Sequence, residues 1–111
     1  MDCLLAKARC CDDLFAYLLR SLAESGHLED TVIVGVADHY AYGMQDQQRL
    51  MEESGVSEPL LREKTPCFIW SYGGPDVTVD KTLNTSDLLP TLINLFGLDS
   101  DYHYLGRDAF D

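Results

Sequence analysis

Basic residues are scarce in this sequence. Eight lysines and arginines stand against 19 aspartates and glutamates, for a net charge of -11. A chain of this sign repels phosphate backbones and anionic lipid surfaces, which argues against nucleic acid or such a membrane as its direct partner. Long apolar runs are also missing. No stretch approaches the ~20 residues needed to cross a bilayer, and Met1 opens no signal-peptide pattern. The four cysteines contain no CxxC pair and no zinc spacing. Cys3 and Cys10 would sit about two helical turns apart, too far to bridge within one helix, and Cys10 and Cys11 diverge. These cysteines read as small buried apolar residues or free thiols, with Cys67 inside a buried strand. Repeats, low-complexity tracts and interdomain linkers are absent. At 111 residues the chain is one domain or part of one.

The most telling feature present is Asp38-His39, which directly follows the apolar run Thr31-Val32-Ile33-Val34-Gly35-Val36-Ala37. An apolar run without alternation predicts a strand buried on both faces, as in a parallel sheet covered by helices. In such sheets reactive groups gather at the carboxyl ends of the strands. A carboxylate and an imidazole, two good metal ligands, therefore leave the sheet where chemistry is usually done.

Around this strand the pattern predicts an amphipathic helix over residues 3–26. Leu4, Ala8, Cys11, Phe15, Leu18 and Leu22 form its stripe, and Gly26 ends it. A short polar helix follows near 45–53. A second strand spans 66–72, stopped by Gly73-Gly74-Pro75, and a short strand covers Val77-Thr78-Val79. The last helix runs over 86–96, with Thr85 or Ser86 as N-cap, Asp87 in the favoured first turn and Gly97 at its end. Alternating helices and strands imply an α/β layer structure. Strand 31–37 is expected at the centre with 66–72 parallel to it. So few helices cannot cover both faces of such a sheet, so the chain reads as a piece of a larger α/β domain, or one that pairs with a second copy.

Three stretches in order carry a family resemblance. One is Glu24-Ser25-Gly26-His27-Leu28-Glu29-Asp30-Thr31-Val32-Ile33-Val34 running into Ala37-Asp38-His39-Tyr40-Ala41-Tyr42-Gly43. The next is Lys64-Thr65-Pro66-Cys67-Phe68-Ile69-Trp70. The third is Val79-Asp80-Lys81 with Ser86-Asp87-Leu88-Leu89-Pro90-Thr91-Leu92, closing on Leu105-Gly106-Arg107-Asp108. Together they resemble the C-terminal part of the sulfatase branch of the alkaline-phosphatase superfamily, nearest to lipoteichoic acid synthase-like membrane proteins of Gram-positive bacteria.

The resemblance implies a fragment of a three-layer α/β domain, with a mostly parallel sheet flanked by helices. It makes residues 1–111 the C-terminal portion of a metal-dependent phosphoglycerol transferase or of a sulfuric or phosphoric ester hydrolase. Asp38 and His39 become metal ligands. This donor pair favours Mn²⁺ or Zn²⁺ over Mg²⁺ or Ca²⁺, which prefer oxygen alone. Tyr40, Tyr42 and Lys64 are candidates to line the pocket. The family nucleophile belongs to an earlier segment, and no threonine or cysteine here matches its motif. The implied partners are that N-terminal portion and an anionic phosphate- or sulfate-ester substrate. The implied enzyme is membrane-anchored with an extracellular catalytic domain, and the 111 residues alone are expected to be soluble and inactive. The competing reading is a non-catalytic α/β structural or dimerisation module, in which Asp38-His39 merely ends a strand.

Overall fold

The computed structural model describes residues 2–40, 47–55 and 63–111. The chain divides into two compact units, Met1–Gly74 and Pro75–Asp111. The first holds helix α1 (Asp2–Glu24), strand β1 (Val32–Val36), helix α2 (Gln47–Ser54) and strand β2 (Cys67–Ser71). Among the described residues no helix is long and apolar enough to cross a membrane.

Helix α1 ends with two capping hydrogen bonds. The His27 amide donates to Leu22 O and the Gly26 amide to Ala23 O, a Schellman arrangement that satisfies carbonyls left without helical partners. The chain then turns into β1, with the Thr31 hydroxyl donating to His27 O at 2.6 Å.

The two strands pair antiparallel, from Val32 opposite Ser71 to Val36 opposite Cys67. This corrects the expected parallel pairing. A connection long enough to hold a helix permits the parallel crossover without requiring it, and α2 lies in that connection. The mostly parallel sheet is therefore not what these two strands form.

Alternation along the strands sorts the sheet into two unlike faces. Ile33, Gly35, Phe68 and Trp70 lie toward α1, where Phe15 and Leu19 join Ile33, Phe68 and Trp70 around an open apolar groove. The Phe68 ring meets Phe15 edge-on, with centroids 5.8 Å apart, a favoured aromatic geometry. It also lies over Gly35, its cross-strand partner, so closely that a Cβ there would sit 2.2 Å from the ring. The opposite face, with Val32, Val36, Cys67 and Ile69, is exposed. The unbroken apolar run predicts cover on both faces, whereas α1 lies over one face alone and leaves Phe68 on it partly exposed. Cys67 is correspondingly exposed rather than buried, and all four cysteines are free and exposed.

Length explains why α1 covers so little. Its 23 residues extend ~35 Å at 1.5 Å per residue, whereas five-residue strands span ~17 Å. Leu19 and Leu22 near its C-terminal end are half-buried, while Leu4, Leu5 and Leu14 remain exposed.

The second unit is built around a 3₁₀ turn, Thr85–Asp87, continuing into helix α3 (Leu88–Leu95). Asn84, rather than Thr85 or Ser86, caps the turn. Its side chain accepts from the Ser86 amide, while Asp87 Oδ2 accepts from the Asn84 amide, each at 2.8 Å, a reciprocal capping box. Gly97 closes α3 as Gly26 closes α1, with the Leu98 amide donating to Ile93 O. Residues 77–79 form no strand. Three residues cannot hold a strand without a partner edge to pair with, and Val77 is exposed.

Candidate metal centre

Asp38 and His39 follow β1 after Ala37, at its carboxyl end, and both are exposed. The strand fixes where they emerge, and hydrogen bonds fix how they face. The His39 amide donates to Asp38 Oδ1 at 2.9 Å. His39 Nδ1 lies 2.8 Å from Tyr40 O. A carbonyl oxygen only accepts, so this contact assigns the ring proton to Nδ1. His39 Nε2 lies 3.5 Å from Asp38 Oδ2.

A carboxylate oxygen and an imidazole nitrogen this close could serve one cation together. A backbone carbonyl holding the other ring nitrogen is the usual outer support of a metal-binding histidine. The donor set and its spacing thus fit a divalent ion. Among the described residues, no group of three or more His, Cys, Asp or Glu side chains could hold one.

The antiparallel pairing decides the place of Lys64. His39 lies three residues after Val36 and Lys64 three residues before Cys67, and Val36 and Cys67 are register partners. Both segments therefore leave the sheet at the same end. Parallel strands would have put Lys64 at the opposite end. Tyr40 contributes its carbonyl to His39, and its side chain is exposed. Sequence reading weighed the Tyr40 ring and missed the backbone group, for which residue identity carries no signal. Tyr42 lies outside the described residues.

A family model named Sulfatase matches residues 1–98. The chain belongs to the sulfatase family. It is also 26% identical over 114 aligned residues to the lipoteichoic acid synthase of Staphylococcus saprophyticus subsp. saprophyticus, covering 97% of this chain and 18% of that protein. The chain thus spans less than a fifth of the length of this curated relative. No solved structure matches. Sulfatase-family enzymes generally work with a divalent metal ion, which agrees in kind with the donor pair at the end of β1.

Proposed function

We propose that this chain is the C-terminal portion of a metal-dependent sulfatase-family enzyme, most specifically a phosphoglycerol transferase of the lipoteichoic acid synthase type, and that Asp38 and His39 are two of its metal ligands. The carrying observation is the approach of Asp38 Oδ2 and His39 Nε2 at the carboxyl end of β1. Asp38 would bring a carboxylate oxygen and His39 an imidazole nitrogen, with the ring oriented by Tyr40 O. Lys64, at the same end of the sheet, would draw an anionic phosphate or sulfate ester toward them. When bound, the ion stabilises an anionic phosphoryl or sulfuryl oxygen and activates a hydroxyl nucleophile. Mn²⁺ and Zn²⁺ suit this nitrogen and oxygen pair better than Mg²⁺ or Ca²⁺.

The nucleophile and the remaining ligands belong, in this reading, to a preceding segment of the same enzyme. That segment would also complete a three-layer domain by covering the exposed face of Val32, Val36 and Ile69, whose apolar character calls for such cover. The enzyme as a whole would be membrane-anchored with its catalytic domain outside the cell. The 111 residues alone would bind metal weakly and turn over no ester.

The test uses a polypeptide carrying this chain together with its preceding catalytic segment. Asp38→Ala and His39→Ala should each remove most metal and most turnover while leaving the circular dichroism spectrum unchanged, because both side chains lie outside the core. Wild-type metal content and rate in the double variant would defeat the assignment. Both substitutions leaving a tight dimer of the 111 residues unaffected, with no metal bound in any form, would favour the structural-module reading.

A further inference from the structure

The segment Gly106–Ala109 lies against the 3₁₀ turn and the start of α3, held by a set of polar contacts that the metal centre does not use. The Arg107 amide donates to Asp87 Oδ1 at 2.8 Å. The Ala109 amide donates to Thr91 Oγ1 at 2.8 Å, and that hydroxyl donates in turn to Asp87 O at 2.6 Å. Asn94 Nδ2 donates to Asp108 Oδ2. Gly106 runs so close to the turn that a Cβ would fall 1.9 Å from Ser86 O. Thr91 and Ala109 are buried, at 4% and 6% exposure, the lowest values among the described residues. This small core is closed from one side by the segment itself.

We propose that Gly106–Ala109 is a latch whose closed state depends on the charge of one carboxylate, Asp87, and that neutralising Asp87 releases the Arg107 end while the rest of the chain stays folded. The reason is the charge on the acceptor. Two amide groups, from Arg107 and Asn84, point at the two Asp87 oxygens. An ionised carboxylate accepts both as charge-assisted bonds, about twice as strong as neutral ones. A protonated one keeps lone pairs but loses that charge, so both bonds weaken. The Arg107 bond spans 20 residues of sequence and the Asn84 bond three, so the Arg107 end is the one that leaves.

Few other charges bear on Asp87. α3 has no charged residue, and the turn offers only Asn84, Thr85 and Ser86. On the strap, Arg107 favours the ionised form, Asp108 is held by Asn94, and beyond it Lys81 bonds the Asp111 carbonyl. The Arg107 amide, and after it the Asn84 amide, holds the Asp87 carboxyl below the usual carboxylate range. A carboxylate lowered on folding stabilises the closed state above its unfolded value, ~3.9, and that contribution is lost as the pH falls through the folded value.

Amide hydrogen exchange on the 111-residue chain, corrected for intrinsic rates, reads the latch directly. At pH 7 the Arg107 and Ala109 amides should be protected. Asp87→Asn, which keeps the shape and removes the charge, should cut Arg107 protection at least tenfold at pH 7 and leave no further loss below pH 4. The β1 amides that bond β2 should keep their protection in that variant, and Asp108→Asn should leave Arg107 protected. Full Arg107 protection in Asp87→Asn, or loss of β1 protection together with it, would overturn the proposal. The readout involves no metal and no turnover, so it stands apart from the functional assignment.

Discussion

The two units of this chain are held by different forces. In Met1–Gly74, a helix and a two-stranded sheet meet through Phe15, Leu19, Ile33, Phe68 and Trp70, and no described residue there is buried. In Pro75–Asp111, side chains bond backbone groups across 18 to 20 residues of sequence, and both residues buried among those described are found there. The first unit depends on apolar area, which is gradual and forgiving. The second depends on a few directional bonds, each of which leaves a polar group unsatisfied when broken. The first unit should therefore soften under substitution, and the second should fail at single atoms.

The sharpest break is Gly106→Ala. The added Cβ would meet the backbone of Ser86 rather than a movable side chain, so the strap cannot stay docked. A cost of about 3 kcal/mol is expected, read by urea denaturation. Protection should fall at Ala109 and remain at the β1 amides that bond β2. A variant as stable as wild type would show that the strap contributes little to its unit.

Gly35→Ala makes the parallel test in the first unit. Its Cβ also collides, at 2.2 Å, but with the Phe68 ring, which is 42% exposed and has room to turn away. The expected cost is about 1 kcal/mol, chiefly the loss of the edge-on contact with Phe15. The near-ultraviolet circular dichroism of the aromatic residues should change with it. A loss equal to that of Gly106→Ala would erase the contrast between the two units.

What could be read in the sequence follows the same division. Helices α1 and α3, strands β1 and β2 and the exit of Asp38-His39 are visible in local pattern, because apolar periodicity and stop glycines act over a few residues. The pairing direction is not, since Val36 meets Cys67 through a connection whose path the intervening residues leave open. The strap was half visible. Asn84-Thr85-Ser86-Asp87 has capping-box spacing, and Gly106-Arg107-Asp108 reads as a closing segment. That Asp87 joins the two is a tertiary fact. At the metal centre, residue types indicate two ligands, whereas the Tyr40 carbonyl that orients His39 could come from any residue at that position.

The smallest effect is expected on the exposed face of the sheet, and it tests whether a longer polypeptide covers that face. Val36→Thr exchanges a methyl for a hydroxyl at nearly constant shape. Val36 is 47% exposed, so in the 111-residue chain the new hydroxyl stays hydrated and the change should lie within about 0.5 kcal/mol. Ile33→Thr, on the face toward α1, removes apolar contact with the groove and should cost more, about 1 kcal/mol. If a preceding segment covers the outer face, the order should invert in the longer polypeptide. There Val36→Thr would bury a hydroxyl without a partner, at about 1–3 kcal/mol. The measurement is the pair of denaturation midpoints in both lengths of chain. An unchanged order in the longer protein would mean that Val32, Val36 and Ile69 stay exposed there, and that the unbroken apolar run of β1 serves something other than a second layer.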